Sequence, residues 1–194
     1  DYDSGSNISL INKNAGIQSV QMHPVLEEIL LIGKRAYLES NGQYNVVIGS
    51  LSQLWRKARK TNEFPEAKQI KKALSKIAFE DIKVDTINHQ LFLSKIGMQL
   101  DFGSLGKGYV AQKVIDFLKT RGVNYALVDA GGKIVTCSTD TLFWQVGINQ
   151  IRDQQKTIPV ELILHNQAVA TSGDLYQFFI HKGHRYSHII NPQT

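Results

Sequence analysis

A lysine and three glycines lie together in the sequence LDFGSLGKGY at residues 100–109, where a predicted strand runs into a predicted helix. Glycine lets the backbone approach a ligand closely, and the free N–H groups at a helix start attract an anion such as phosphate. Lys107 adds a positive charge, and Asp101 adds a hydrogen-bond acceptor or a metal-facing carboxylate. The spacing is neither GxGxxG nor GxxxxGK(S/T). The stretch therefore predicts a phosphate-binding turn, and a tight turn without a ligand stays open as the alternative.

His188 lies between a serine and aliphatic residues in the sequence RYSHIINPQT at residues 185–194. If this stretch is a strand, Tyr186, His188 and Ile190 point to the same face. An imidazole titrates near neutral pH, so His188 suits the orienting or deprotonating of a nucleophile. On the residues alone, a purely structural histidine stays open. The other histidines lack metal-ligand spacing such as HxxxH and are interpreted as structural: His23, His89, His165, His181 and His184.

Tyr44 follows a glycine turn in the sequence NGQYN at residues 41–45. An aromatic ring at such a place can stack on the flat ring of a ligand, or it can only cover the end of the preceding helix. The residues themselves leave both interpretations open.

Three helices are predicted to position these residues. The first begins at Pro24, which suits a first helical position, and ends before Gly42, which suits a left-handed cap. The second follows Pro65, and the third lies between residues 106 and 121. Short β-type runs predict strands at residues 91–93, 99–101, 125–128, 143–148, 160–164 and 186–190. Helices cluster early and strands late, which predicts an α+β fold, a single domain over residues 1–194 with helices packed on a mainly antiparallel sheet.

The composition fits a globular chain of 194 residues, 42% of them hydrophobic, with a net charge of +5. No run approaches the ~18 apolar residues of a membrane span, so we expect a soluble chain without a transmembrane segment. Basic residues cluster at 56–60 and 68–76, which predicts solvated helix faces or a rim that attracts an anionic dinucleotide. Aromatic residues are not interleaved with them, so no nucleic-acid partner is expected. The one cysteine, Cys137, excludes an internal disulfide and is predicted to be a buried thiol.

Five segments resemble motifs of the ApbE family, in the right order and at the right separations. The first four matches are residues 6–12 with DSxxSxxN, 42–51 with GaFDiTvgpL, 100–109 with DLGgiaKGYa, and 131–132 with the double glycine of GGdi. The fifth is a motif in two parts: residues 170–174 match ATSGdy, and residues 186–190 match the start of YSHIiDPxTG. Each motif alone is modest, but five together are specific. The chain therefore resembles the ApbE family along almost its whole length.

The resemblance implies an FAD:protein FMN transferase, which with magnesium moves the FMN half of FAD to a threonine or serine hydroxyl of a target protein and releases AMP. This phosphoryl transfer needs cationic groups and metal to absorb charge, and a group that orients the attacking hydroxyl. We assign the orienting role to His188. By match to family positions, Ser104 is a magnesium ligand through its backbone carbonyl, and the FAD contacts are Tyr2, Gln43, Tyr44, Asn45, Asp101, Lys107 and Ile190.

The sequence departs from the family motifs at positions that carry oxygen atoms. Asn45, Gln112, Lys133 and Asn191 stand where the family has aspartate, and Val47 replaces a threonine. Each change removes an oxygen that could bind metal, accept a hydrogen bond or carry charge. The family's ADaxxT segment, which supplies most of the magnesium shell, has no counterpart before residue 194. We therefore expect a domain that is incomplete at its C-terminus and a weak magnesium site.

Two alternatives to a functioning transferase stay open. One is a non-catalytic FAD-binding or flavin-scavenging relative, and the other is an interaction protein with a vestigial pocket. Titration with FAD separates the last from the other two, and AMP release separates the transferase from the non-catalytic relative. The resemblance further implies a location in the bacterial periplasm or at the outer face of the inner membrane, since members are commonly exported or lipid-anchored.

Overall fold

Helices form most of the regular structure before residue 120 and antiparallel strands most of it afterwards, in a computed structural model that describes residues 3–139, 141–151, 157–173 and 177–193. The predicted α+β fold is confirmed. The contacts divide the chain into two compact units. The first holds the residues up to Ser104 and from Gly173 onward, and the second is Leu105–Ser172. The assignment of residues 1–194 to one domain stays a prediction.

The described helices of the first unit are α1, Asn7–Lys13; α2, Pro24–Glu39; α3, Gly49–Thr61; and α4, Ala67–Leu74. The helix predicted from Pro24 is confirmed as α2, and the chain leaves it through Gly42, whose φ is +80°. The helix predicted after Pro65 is confirmed as α4. The sequence analysis does not predict α1 or α3. α1 has only 7 residues, and α3 begins at Gly49 without a side-chain cap to mark its start.

Two small antiparallel sheets belong to the first unit. The strands are β1, Val20–Gln21; β2, Ile82–Asp85; β3, Gln90–Leu93; β9, Phe178–His181; and β10, His184–Ser187. They pair in the order β1–β3–β2 in one sheet and β9–β10 in the other. Leu91 and Leu93 are both 1% exposed and place one face of β3 in the core, so the strand predicted at 91–93 is confirmed.

The prediction of a strand at residues 99–101 is wrong. One parallel bridge joins Gln99 to Ile48, and the N–H of Asp101 donates to the carbonyl of Val46 at 2.8 Å. This extended backbone therefore pairs with the loop before α3 instead of with a neighbouring strand. The segment has the hydrophobic pattern of a strand because Leu100 is buried, although the segment pairs with no strand of the sheet.

The strand predicted at residues 186–190 is confirmed only in part. β10 begins at His184 and ends at Ser187, whose hydroxyl accepts the N–H of Ile189 at 3.0 Å. This local side-chain bond turns the chain out of the strand ladder. The inference that Tyr186, His188 and Ile190 alternate along one strand is therefore wrong.

The second unit packs one helix on an antiparallel sheet. Its elements are α5, Gly106–Thr120; β4, Ala126–Asp129; β5, Lys133–Cys137; β6, Trp144–Ile151; β7, Thr157–Leu164; and β8, Ala168–Ala170. The strands form the sheet β4–β5–β8 and the pair β6–β7, and the helix ends before Gly122 as predicted. The core joins Ala111 and Ile115 of α5 to Val135 and Cys137 of β5, and Cys137 is the buried thiol that was predicted.

The described helices contain at most 16 residues. Within the described ranges, no helix is long and apolar enough to span a membrane.

Candidate functional site

Asp101 is the buried acid at the start of the glycine-rich turn, and donors from three places satisfy it. Its Oδ2 accepts hydrogen bonds from Arg56 Nη2 and Ser52 Oγ, both on α3, and its Oδ1 accepts the N–H of Gly103 at 2.9 Å. The side chain of Asp101 is 9% exposed and that of Arg56 25%. A charge buried to this extent needs such partners. Asp101 therefore fastens the glycine-rich turn to α3.

Backbone contacts hold the residues before this turn. The side-chain amide of Asn12 donates to the carbonyl of Leu100 at 3.0 Å and accepts its N–H at 2.7 Å. The N–H of Gly49 donates to the carbonyl of Gln99 at 3.0 Å, and a Cβ at Gly49 would lie 2.6 Å from that oxygen. A side chain larger than hydrogen would therefore push the start of α3 away from the turn.

Tyr44 connects the loop after α2 to the end of the glycine-rich turn. Its hydroxyl oxygen lies 2.8 Å from Ser104 Oγ, and its backbone N–H donates to Ser40 Oγ at 2.9 Å. Burial raises the pKa of the Tyr44 phenol above 10.0, the Ser104 hydrogen bond opposes this change, and the charge of Asp101 raises the pKa further. The phenol is therefore neutral at physiological pH. The hydrogen bond joins a predicted FAD contact to the predicted magnesium position.

The neighbours of Tyr44 differ in exposure. Asn45 is 9% exposed, and its Oδ1 accepts the N–H of Val47 at 2.9 Å, so it stabilises its own loop. Gln43 is exposed. The structure thus brings together Tyr44, Asn45, Asp101 and Ser104, as the predicted site requires.

His188 and Ile190 lie beyond the end of β10. The N–H of His188 donates to the carbonyl of Gln177 at 3.0 Å, and its imidazole is exposed. Gln177 also accepts a hydrogen bond from Arg59 Nη1 at 3.1 Å, which connects this segment to α3. Ile190 is half-buried. The predicted roles of both residues stay predictions, and Tyr2 lies outside the described residues.

Lys107 belongs to the second unit, where it lies beside the double-glycine turn. Its Nζ would be 3.4 Å from a Cβ built on Gly131, and Gly131 and Gly132 have φ of +65° and +79°. The N–H of Gly132 donates to Asp129 Oδ1 at 2.7 Å. Because Lys107 is exposed near the start of α5, its charge and the free N–H groups of that helix end can attract a phosphate.

The sequence interpretation missed Arg56 and Ser52. Arg56 was included in a basic run expected to be a solvated helix face, and its i−4 spacing to Ser52 has meaning only once α3 is known. No signal in the sequence could have indicated the ion pair of Arg56 with Asp101, because the two residues lie 45 positions apart.

A magnesium ion does not fit the described residues near Ser104 by themselves. Across the described part of the chain, no group of three His, Cys, Asp or Glu side chains could hold a metal. Asp101, the carboxylate nearest in sequence, already accepts bonds from Arg56, Ser52 and Gly103. Magnesium prefers six oxygen ligands, usually with one or two carboxylates among them. The described residues therefore supply too few ligands.

The comparison with known proteins starts from the whole chain. The sequence model of the ApbE family matches residues 1–194. The chain belongs to the ApbE family. The resemblance inferred from five motifs is thereby confirmed.

The chain is similar to ApbE proteins of several bacteria. The FAD:protein FMN transferase of Klebsiella pneumoniae (strain 342) is 29% identical over 189 residues, which are 97% of this chain and 58% of that protein. The apo form of the flavinyl transferase ApbE of Pseudomonas stutzeri has a TM-score of 0.81 and 26% identity, with coverage of 99% and 60%. The ApbE protein of Thermotoga maritima has a TM-score of 0.85 at 24% identity, with coverage of 99% and 62%. The chain thus spans less than two thirds of each of these relatives.

In this ApbE chain, residues that replace family acids make local hydrogen bonds. Gln112 donates to Asp116 one turn later at 2.8 Å, Lys133 donates to the carbonyl of Thr171, and Asn191 accepts the N–H of Gln193 at 2.8 Å. Each of these side chains therefore stabilises the element in which it lies: Gln112 the helix α5, Lys133 the strand β5, and Asn191 the turn that follows it.

Proposed function

We propose that the protein is an FAD:protein FMN transferase, which moves FMN from FAD to a threonine or serine hydroxyl of a target protein and releases AMP. The observation that carries the proposal is the glycine-rich turn, which Asp101 fastens to α3 and Tyr44 joins to the loop after α2. The names of the relatives support the same activity.

In the proposed reaction, the acceptor hydroxyl attacks the phosphorus of the FMN half. A new P–O bond forms, the pyrophosphate P–O bond breaks, and AMP leaves with the bridging oxygen. Lys107 and the N–H groups at the start of α5 suit the negative charge of the phosphates. His188 is the proposed group that orients the hydroxyl and takes its proton.

Magnesium dependence is also part of the proposal. Since the described residues do not fit the ion alone, we expect it to bind weakly without FAD and more tightly together with FAD, whose phosphate oxygens would add ligands.

A non-catalytic FAD-binding protein is the second candidate. It is favoured by the engagement of Asp101 in an ion pair and by the loss of family acids at Asn45 and Asn191. Such a protein would bind FAD and leave it intact.

The test measures FAD affinity and AMP release in the presence of magnesium and a threonine-containing acceptor domain. The proposal predicts saturable FAD binding, AMP release, and a flavin that stays on the acceptor after denaturation. FAD binding without AMP release would select the second candidate, and no FAD binding would contradict both.

The location is proposed from the resemblance alone. We expect the protein in the periplasm or at the outer face of the inner membrane, with its acceptor. Cell fractionation tests this location, and recovery in the cytoplasm would contradict it.

A further inference from the structure

The net positive charge of the chain is concentrated in one segment. Residues 56–76 hold eight lysines and arginines and two glutamates, a net charge of +6, while the whole chain has +5. The remainder of the chain therefore has a net charge of −1. This segment contains the second half of α3 and all of α4, which Ser50 Oγ joins through a 3.0 Å bond to the carbonyl of Ala73.

An aromatic cluster connects the β9–β10 hairpin to these helices. Phe64, in the loop between α3 and α4, stacks on His181 with ring centroids 4.8 Å apart and packs against Tyr186 at 4.7 Å. Trp55 of α3 meets Phe179 of β9 at 6.2 Å. The hairpin has no acidic residue and adds basic side chains, among them Lys182, which follows His181 of this cluster.

Six lysines form what we call the basic surface. Their side chains are exposed, and none forms an ion pair with another residue in the described part of the chain; they are Lys57, Lys60, Lys68, Lys71, Lys72 and Lys182. Like charges at this density repel one another. A surface of lysines without ion pairs therefore lowers the stability of the folded protein unless a partner neutralises the charge.

The basic surface starts at the candidate site. Arg56 on α3 binds Asp101 of the glycine-rich turn, and Arg59, one turn further, binds Gln177 beside His188. Lys57 and Lys60 directly follow the two arginines in the sequence of α3, and the lysines of α4 lie on the helix that the Ser50–Ala73 bond joins to α3. A molecule held by these lysines would therefore lie on the two helices beside the candidate site.

We propose that the basic surface docks an acidic segment of the acceptor protein. This inference rests on the proposed function, because it names the chemistry of the target that receives FMN. Complementary charge would steer the acceptor to the site and fix which segment approaches it. The exposure of the six lysines and their lack of ion pairs within the described residues, together with the position of Lys57 and Lys60 on the helix of Arg56 and Arg59, carry the argument.

Two other anionic partners fit the surface less well. None of the large apolar side chains described between residues 39 and 83 is exposed, so the α3–α4 part of the surface offers no wedge for a membrane; near Lys182 of the hairpin, Ile180 is exposed. The rings of Phe64 and Tyr186 are half-buried and packed against each other, so they do not present free faces for stacking on bases. A flexible acidic peptide needs neither feature.

The test compares two double charge reversals that change the net charge equally. The surface variant carries Lys57→Glu and Lys71→Glu, and the matched control carries Lys34→Glu and Lys83→Glu, which are also exposed but lie elsewhere. Circular dichroism and thermal unfolding check that both variants fold. The probe is a fluorescent decaglutamate peptide at low salt, and FAD affinity is measured in parallel.

The native chain should bind decaglutamate, and the surface variant should bind it about tenfold more weakly than the control. FAD affinity should be the same in all three proteins. No binding of decaglutamate, or equal weakening in both variants, would overturn the proposal. Tighter binding of an equally charged oligothymidylate or of phosphatidylglycerol vesicles, lost in the surface variant, would also overturn it.

The binding of an acidic segment and the transferase activity can be tested separately. If AMP is released, the surface variant should show a raised KM for the acceptor domain with kcat unchanged. If decaglutamate binds as expected and no AMP is released, the proposal of an acid-binding surface is supported and the proposal of a transferase is contradicted. If AMP release and KM are unaffected by the surface reversal, the acceptor does not use this surface.

Discussion

Single polar groups decide the shape of the glycine-rich turn. The buried carboxylate of Asp101 receives one charged donor, Arg56, and two neutral ones, the hydroxyl of Ser52 and the N–H of Gly103. Removal of the charged donor leaves the carboxylate buried with incomplete compensation, which costs more than the intact pair contributes. The site is therefore most sensitive to changes in the partners of this one acid.

Arg56→Met should lower the free energy of unfolding by about 3 kcal/mol, because Asp101 then stays buried without a cation. Urea unfolding monitored by tryptophan fluorescence measures the change. The control is Arg59→Met, which removes a bond to Gln177 and should cost less than about 1 kcal/mol. Adding Asp101→Asn to Arg56→Met should recover part of the loss. Equal losses in the two single variants would show that the ion pair does not stabilise the turn.

The raised pKa of Tyr44 predicts a loss of stability at alkaline pH. Because the folded-state pKa lies above the unfolded value of about 10, its stabilisation is complete below pH 10 and disappears as the pH rises through the folded-state pKa. Tyr44→Phe has no phenol to ionise and should lose less stability in that range. Unfolding free energies at pH 8 to 11 measure the difference, and parallel curves for the two proteins would contradict it.

His188→Ala should cut FMN transfer by about 10²–10⁴-fold and leave FAD binding intact, since an acid–base group acts on the reacting hydroxyl. AMP release under saturating FAD measures the rate. His184→Ala is the matched control, as it is exposed on the same hairpin. Full activity of the His188 variant would return this histidine to a structural role.

At the scale of elements, the start of α5 combines several features that favour an anion. The helix begins at Gly106 without a side-chain cap, which leaves N–H groups free for a ligand. The double-glycine turn brings Gly131 close to Lys107, and the φ of +65° at Gly131 excludes most side chains. A helix end, a turn and a lysine thus converge within the second unit.

Lys107→Ala should weaken the binding of FAD and ADP about tenfold and change riboflavin binding little, because riboflavin has no phosphate. Isothermal titration with the three ligands measures the affinities. Lys119→Ala, at the other end of the same helix, is the control for a change in net charge. An unchanged ADP affinity in the folded Lys107 variant would place the pyrophosphate elsewhere.

At the scale of the whole molecule, charge is distributed unevenly. The α3–α4 segment is strongly basic, while the described residues form no cluster of acids able to hold a metal. The turn acid that remains, Asp101, is committed to Arg56. This distribution suits an acidic partner better than a free cation.

The 194-residue chain should therefore bind magnesium weakly in the absence of FAD and more tightly in its presence. Titration with magnesium, alone and with saturating FAD, measures both affinities. ADP serves as a control that has the pyrophosphate and lacks the flavin. Tight stoichiometric binding of magnesium to the chain without FAD would show that the metal ligands have been misplaced.

Part of this structure is determined by local sequence. α2 and α5 were predictable because proline and glycine mark their ends and their apolar residues follow a helical period. The glycine-rich segment was predictable as a turn before a helix because glycine spacing is a local property of the chain. The family could be inferred in the same way, from short motifs in a constant order.

Tertiary structure decided what these residues contact. Asp101 binds Arg56 across 45 positions of sequence, and Tyr44 meets Ser104 across 60, so no local pattern indicates either pair. The strand predicted at 99–101 is a single bridge because pairing depends on what lies alongside, which hydrophobicity does not specify. A solvated face and a buried ion pair have the same sequence pattern on α3. Only the packing of the turn against that helix determines that Arg56 faces the acid while Lys57 faces solvent.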